Sequence, residues 1–260
     1  MILSVSYNFF NGEEHLIPSL KSIRNSVEHI SVVFQEISNK GEAATQSAKE
    51  ALHQAIEEGL VDHAIVYQPD LHLPRSANEL NKRIAGLQIA REQSATHFFT
   101  IDADEFYREE EFSAARKKIE EEGYNSTSVG SFLHIKRPVY RGDDVTNCAF
   151  ITKIEKDTRL GTPTYPSLMV DPTRKISVPE TKHYHFKKEE IAMYHMNMVR
   201  KDIREKLNNS STTDKGFLNQ VHEAFTNWED KSVFNFPRKG PIVIEHVQNE
   251  FNTYDPGEEI

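Results

Sequence analysis

Four short apolar, β-rich runs separated by three segments of helical periodicity fill the first hundred residues, and this alternation constrains the fold more than any other feature. The runs cover residues 2–7, 30–34 (ISVVF), 64–67 and 97–101 (HFFTI). Between them Leu16, Ile17, Leu20, Ile23 and Val27 recur at helical spacing, with Pro18 read as part of the first turn, where its missing N–H does no harm. Ala44, Ala48, Leu52 and Ala55 mark a second helix over 42–58 that stops at Gly59, and Leu80, Ile84, Leu87 and Ala90 mark a third. Strand–helix repetition of this kind predicts right-handed crossovers and an α/β fold with a mostly parallel central sheet covered on both faces. Ligands of such sheets bind at the carboxyl ends of the strands. Here those ends are residues 8–14, 35–42, 68–75 and 102–107, all rich in polar groups.

Beyond about residue 125 the pattern loosens. Residues 132–135, 148–154 and 168–170 read as strands of a mixed region, and 199–208 and 217–228 as helices. The 260 residues therefore divide into a ligand-binding half (1–125), a less regular mixed half of the same domain (126–248) and a polar tail (249–260) expected to be loosely ordered or to lead into further sequence. No run approaches the roughly 20 apolar residues of a membrane span. The opening, MILSVSYNFFNGEE, has neither a basic lead nor a small-residue cleavage site and reads as a first strand. A single cysteine, Cys148, excludes an internal disulfide framework and suits a reducing cytoplasm. The net charge of −9 argues against nucleic acid as a partner. Residues 174–206 run against that balance, with nine Lys/Arg against five Asp/Glu and with His183, His185 and His195 in the same stretch. A basic patch on an acidic protein is where an anionic ligand is expected.

The sharpest chemical signal is Thr100-Ile101-Asp102-Ala103-Asp104-Glu105-Phe106. In extended backbone alternate residues share a face, so Asp102 and Asp104 are expected to point to one site. Carboxylates held at a strand end repel one another unless a cation compensates, and oxygen ligands of this type suit Mg²⁺ or Mn²⁺. An acidic turn alone is commonly just solvated; the place of this one, after the fourth strand of an alternating half, favours a metal site.

These residues resemble glycosyltransferase family 2 and its relatives. The likeness runs through Tyr7-Asn8 and Asn11-Gly12-Glu13-Glu14 after the first strand, VVFQEISNKG at the second, NKRIAGLQIA in the third helix and IDADEFY as a DxD-type motif, covering about residues 1–107 in order. It extends to His195 followed by Arg200 and Lys206, a pattern similar to that of bacterial enzymes that build surface polysaccharides such as capsule or lipopolysaccharide. The resemblance implies a GT-A fold (Rossmann-like) and a metal-dependent, usually inverting transfer of a sugar from a nucleotide diphosphate donor, a UDP-sugar foremost. The acceptor it implies is a glycan or lipid-linked glycan, with work at the inner face of the cytoplasmic membrane as a peripheral enzyme. The second strand departs from the pattern, ending Gln35-Glu36 where many relatives have an aspartate and a Ser-Thr-Asp run.

On this reading Asp104 and His195 hold Mn²⁺ or Mg²⁺, with Asp102 touching the ribose or the metal shell. Asn8, Asn11, Glu13, Glu36 and Arg83 contact the donor base, while Arg200 and Lys206 meet the phosphates. A single helix from His195 to Lys206 would turn Arg200 away, so a break before Arg200 is required. For the base that takes the acceptor proton, Asp171 is preferred and Glu180 is the second candidate; Asp143 and Asp144 stay open. Two other enzyme classes compete. A zinc-dependent hydrolase would use His183, His185 and His195. A sugar nucleotidyltransferase would share an acidic metal site, although the loop NFFNGEE has one glycine and no basic residue. A carbohydrate-binding or scaffold domain that kept the fold but lost turnover is the third alternative.

Overall fold

The strand β1 (Leu3–Phe9) is buried along its whole length, as a strand covered on both faces must be. Its two faces carry different chemistry. Leu3, Val5, Tyr7 and Phe9 enter the main apolar cluster, whereas Ser4, Ser6 and Asn8 point to the opposite side. The computed structural model describes residues 1–210, 212–229 and 232–258. From β1 the chain continues through α1 (Glu13–Ile23), β2 (His29–Phe34), α2 (Gln46–Glu57), β3 (His63–Val66), α3 (Arg75–Glu92) and β4 (His97–Asp102). The order β3-β2-β1-β4 is parallel throughout, the α/β arrangement that the alternation requires.

After the two-residue strand β5 (Glu105–Phe106) and α4 (Glu109–Glu122), two long strands extend the sheet, β6 (Ser126–Ile135) and β7 (Arg137–Lys153). β7 runs antiparallel to both β4 and β6 and so joins the two halves of the chain in one sheet across residue 125. The short strands β8 (Arg159–Leu160) and β9 (Ile176–Ser177) form a separate ribbon. β10 (His183–Phe186) and β11 (Ala192–Met198) follow one another along the edge of β6, both parallel to it. The chain then passes through α5 (Ile203–Asn208), α6 (Lys215–Asn227), β12 (Val233–Phe236) and β13 (Gly240–His246), the last returning to β7. Among the described residues eleven strands share this sheet, and no helix is long and apolar enough to cross a membrane.

Helices α1, α2 and α4 contribute Leu16, Leu20, Ala48, Ala55, Phe112 and Ile119 to the cluster under the first face of β1. Helix α3 lies on the other face, with Leu87 and Ala90 packed against Phe98. Its approach is close: a Cβ on Gly86 would run into the side chain of Ser6, so the small residues of β1 and the glycine of α3 go together.

Four local expectations are corrected. Pro18 lies in the second turn of α1, which begins at Glu13, so the carbonyl of Glu14 loses its intrahelical donor. Residues 168–170 form no strand; Val170 makes one bridge to Asn147, while Leu168 and Met169 are exposed and Met169 has φ 57°. The expected helix 199–208 is shorter, because β11 runs to Met198 and a turn precedes α5. The polar tail is fixed rather than loose. Thr253 and Asp255 are buried, Asp255 takes Nε and Nη2 of Arg137 at 2.7 and 2.9 Å, and Phe251 packs at a tilt against Phe106. Glu259 and Ile260 of that tail lie outside the described residues.

Candidate functional site

Parallel register sets Asn8 of β1 directly beside Asp102 of β4. Both belong to the face that α3 covers, and both line a cleft of about 330 Å³ at the carboxyl ends of the strands. Asp102 ends its strand, residues 103–104 turn, and Glu105 starts β5. Asp102 and Asp104 therefore share the cleft by way of a turn, not through the alternation of extended backbone.

Asp102 is held from below. Arg83 on α3 places Nη2 3.2 Å from both carboxylate oxygens, and Arg174 places its own Nη2 2.6 Å from Oδ2. Burial alone would raise the Asp102 carboxyl; the two guanidiniums override it and hold it well below the usual carboxylate range. Arg83 is itself fixed by Thr100, Thr173 and Glu79. Arg174 continues to the buried Glu105, at 2.5 and 2.8 Å. Desolvation pushes Glu105 upward despite that partner, with the Asp102 charge adding to the rise.

Asp104 is almost fully enclosed, its side chain 3% exposed. Its Oδ2 accepts from Arg200 and, at 2.8 Å, from Lys206, while Oδ1 lies 3.7 Å from His195 Nε2. Burial again opposes the charge, and Lys206 and Arg200 outweigh it, so Asp104 stays ionised far into acid. The break required before Arg200 is present: His195 and Asn197 project from β11 on its cleft-facing alternation, Arg200 sits in the following turn, and Lys206 comes from α5. Gly12 makes the convergence sterically feasible. It starts α1 at φ 89°, and a Cβ there would collide with the Arg200 guanidinium.

The other expected residues divide. Asn8 donates to Glu79 at 3.1 Å, and its Oδ1 is buried with no partner among the described residues, an acceptor left for a ligand donor. Asn11 lines the cleft. Glu13 stands in a small side recess and accepts from Thr45 and Ser47, tying α1 to the start of α2. Glu36 is corrected: it points to solvent, and its neighbour Gln35 is the residue turned into the cleft, as alternation along a strand end dictates. Asp171 lies on the cleft wall, where its Oδ1 caps the short turn at Thr173 (2.8 and 2.9 Å). Glu180 does not come to the site. It follows β9 and accepts through its carbonyl from Asn125, beside the start of β6, at the end of the sheet opposite Asp102. Asp143 and Asp144 pair with Lys188 and Lys239 away from the cleft.

The histidine trio also separates. His183 and His185 hydrogen-bond Ser126 and Ser128. The strand partner of His185, Ser128, is five positions from Leu133, the partner of His195, and that of His183, Ser126, is farther still. At roughly 3.3 Å per residue that is about 16 Å along β6, too far for one zinc ion. Single-residue reading did not bring out Lys82, Glu79 or Arg174. Glu79 stands three and four positions before Lys82 and Arg83 on α3, a spacing that announces the pairing on a helix. Arg174 carried no signal beyond its membership of the basic stretch.

As a metal site the cleft is partial. Among the described residues no three His, Cys, Asp or Glu groups form a shell. The Asp104–His195 separation is too long for a hydrogen bond and within the span that two ligands of one ion cover. Magnesium and manganese sites often take only one or two protein ligands and complete the shell with phosphate oxygens and water, so this donor pair fits such an ion. A wider depression of about 890 Å³ lies elsewhere, between α1, the start of α4 and Glu250; no strand-end carboxylate of the cleft reaches it.

No protein-family model matches the sequence, and no curated protein matches it. Among solved structures the chain is similar to S. aureus TarS 1-349, with 11% identity and a TM-score of 0.47 over 87% of this chain and 71% of that one. The same protein crystallised with UDP matches at 14% identity and a TM-score of 0.39, covering 52% of this chain and only 36% of that chain. Mannose-1-phosphate geranyltransferase from Thermus thermophilus matches at 11% identity and a TM-score of 0.32, over 60% and 51% of the two chains. Likeness at this level is a partial overlap of backbone.

Proposed function

We propose that the cleft binds a nucleoside diphosphate sugar and transfers the sugar to a glycan or lipid-linked glycan hydroxyl. The observation that carries this reading is the convergence of Arg200 and Lys206, from opposite ends of one turn-and-helix segment, on Asp104 at the carboxyl end of β4. Cations that share one carboxylate can turn to phosphate oxygens when a diphosphate enters, because the anion replaces the carboxylate as their partner. Asp104 and His195 would hold Mn²⁺ or Mg²⁺. When bound, the ion supplies Lewis-acid stabilisation of the departing diphosphate.

The remaining work falls to side chains. Arg83 and Arg174 keep Asp102 ionised and oriented at the floor. Asn8 offers a free acceptor for a ribose hydroxyl or base N–H, with Gln35 on the same wall. Asp171 is the candidate base, since of the two preferred carboxylates it alone lines the cleft. UDP is the favoured nucleotide and polysaccharide assembly the favoured setting, both from the family resemblance. Positive charge lining this cleft comes from Lys82 and Arg83 of α3 and from Arg200 and Lys206 after β11, whereas the loop after β1 is uncharged until Glu13; that arrangement favours transfer of the sugar over nucleotidyl transfer, which relies on a basic first loop.

Calorimetric titration of UDP, GDP and CDP into metal-stripped protein, with and without Mn²⁺ and beside Asp104→Ala, tests the reading. One diphosphate should bind markedly better with Mn²⁺, and the variant should lose that gain. Absence of binding by all three with metal present would overturn it.

A further inference from the structure

The turn that carries Arg200 is held by His15 and Glu14 of α1, and a segment remote in sequence backs that hold on both sides. On one side the Val199 carbonyl accepts from His15 Nε2 at 2.5 Å, and the other ring nitrogen, Nδ1, lies 2.7 Å from Thr253 Oγ1. A carbonyl can only accept, so Nε2 carries the proton and Nδ1 accepts from the Thr253 hydroxyl. On the other side Lys201 places its ammonium 5.4 Å from the centre of the Tyr254 ring, and its backbone N–H donates to the Glu14 carboxylate at 3.3 Å. The gripping segment is itself anchored at both ends. Phe251 packs on Phe106 and Tyr194 with ring centres 5.0 and 5.3 Å apart, and Asp255, its side chain 1% exposed, is clamped by Arg137. A segment anchored at both ends that reaches Val199 through His15 and Lys201 through Tyr254 bears on both neighbours of one arginine.

We propose that residues 251–255 form a strap that sets the position of Arg200, with Thr253 and Tyr254 as positioning residues of the anion-binding cleft. This rests on the reading of the cleft as a diphosphate site. The strap acts at one remove: Thr253 orients His15, whose Nε2 holds the Val199 carbonyl, and Tyr254 packs on the Lys201 side chain, whose backbone N–H is held by Glu14; the arginine between 199 and 201 then meets Asp104 over Gly12. A guanidinium fixed in advance loses less freedom on meeting a phosphate than one on a loose turn.

The test uses the full chain with Thr253→Val, which puts a methyl in place of the hydroxyl, Thr253→Ser, which keeps the hydroxyl, and Tyr254→Leu on the other flank. Backbone hydrogen exchange at 199–202 and calorimetric binding of inorganic pyrophosphate with Mg²⁺ are read together. Thr253→Val and Tyr254→Leu should each exchange at 199–202 at least about tenfold faster, with β1 and β4 unchanged, and bind pyrophosphate roughly five- to tenfold more weakly; Thr253→Ser should restore both. Wild-type exchange and affinity in both variants would overturn the strap. Faster exchange with unchanged pyrophosphate affinity would overturn its positioning role. If the wild-type protein binds neither pyrophosphate nor any nucleoside diphosphate, the reading of the cleft fails, and the exchange comparison still decides whether the strap holds the turn.

Discussion

Arg174 places a guanidinium nitrogen 2.6 Å from a carboxylate oxygen of Asp102, across 72 residues of chain. The same guanidinium reaches Glu105 and lies 2.9 Å from the Cys148 sulfur, so one arginine carries the floor of the cleft. Replacing it by methionine leaves Glu105 buried without its main partner. Loss of one member of a buried pair typically costs about 3–5 kcal/mol. Arg174→Met should therefore lower the urea midpoint sharply, and adding Glu105→Gln should recover much of the loss. Equal stability of the single and double variants would contradict the pairing.

Lys206 and Arg200 share Asp104, and on the proposed reading they turn to phosphate oxygens. Charge-assisted hydrogen bonds contribute about 1.5–3 kcal/mol. Lys206→Met should weaken nucleoside diphosphate binding roughly 10- to 100-fold, and Arg200→Lys should not match the wild type, since lysine lacks the planar fork. Titration of each variant in low and moderate salt checks this; undiminished affinity in both would remove the two cations from the site.

Helix α3 approaches β1 through Gly86 over Ser6. Alanine ordinarily gains about 1 kcal/mol over glycine inside a helix. Here the added methyl meets the serine side chain, and overpacking of this sort costs about 1–3 kcal/mol. Gly86→Ala should lower the melting temperature, and Ser6→Gly in the same chain should restore it. A stabilised single variant would show that the helix can shift without cost.

Two buried histidines make stability fall in mild acid. Burial, with the Arg200 charge second, lowers His15 to about 3, and burial lowers His134 to about 4. The unfolded chain takes up these protons below about pH 6.5, while the folded chain refuses them. Stability is thus fully present above that pH and declines as the pH drops toward 4, by a total on the order of a few kcal/mol. Asp102 and Asp104, with depressed values, add their loss once the unfolded chain's aspartates begin to protonate below about pH 5, so the decline above that pH belongs to the histidines. Urea midpoints between pH 7.5 and 4.5 should show the decline, with a shallower slope in His134→Gln. A flat profile would contradict neutral burial.

Cys148 is buried at 2% exposure, and desolvation pushes its thiol to about 11 despite Arg174 nearby. The thiolate is the reactive form. Alkylating reagents at pH 8 should leave Cys148 unmodified in the native protein and react promptly once urea is added. Rapid native labelling would mean that the cleft floor opens readily.

Much of the N-terminal half was legible because its signals are local. The apolar periodicities over residues 2–7, 30–34 and 97–101 correspond to β1, β2 and β4, since burial on two faces writes itself directly into composition. Thr45 caps α2 by accepting from Ala48, as a short-range motif can announce. The region after residue 125 was harder. β7 spans 17 residues with charged and polar side chains along its middle, so no continuous apolar run marks it as the strand that joins the halves.

Sequence alone determined the alternating α/β half, the polar strand ends and the carboxylates after the fourth strand, because those depend on neighbours a few residues apart. Only the tertiary structure decided which charges meet. Arg83 and Arg174 on Asp102, Arg200 and Lys206 on Asp104, and the strap from Thr253 to His15 all join residues brought together by sheet order and turns. Glu36 and Glu180 carry the same chemistry as the residues of the cleft, yet one points to solvent and the other sits at the opposite end of the sheet. Ion pairing depends on separation in space, and chain distance says almost nothing about that once a strand reverses or a helix crosses.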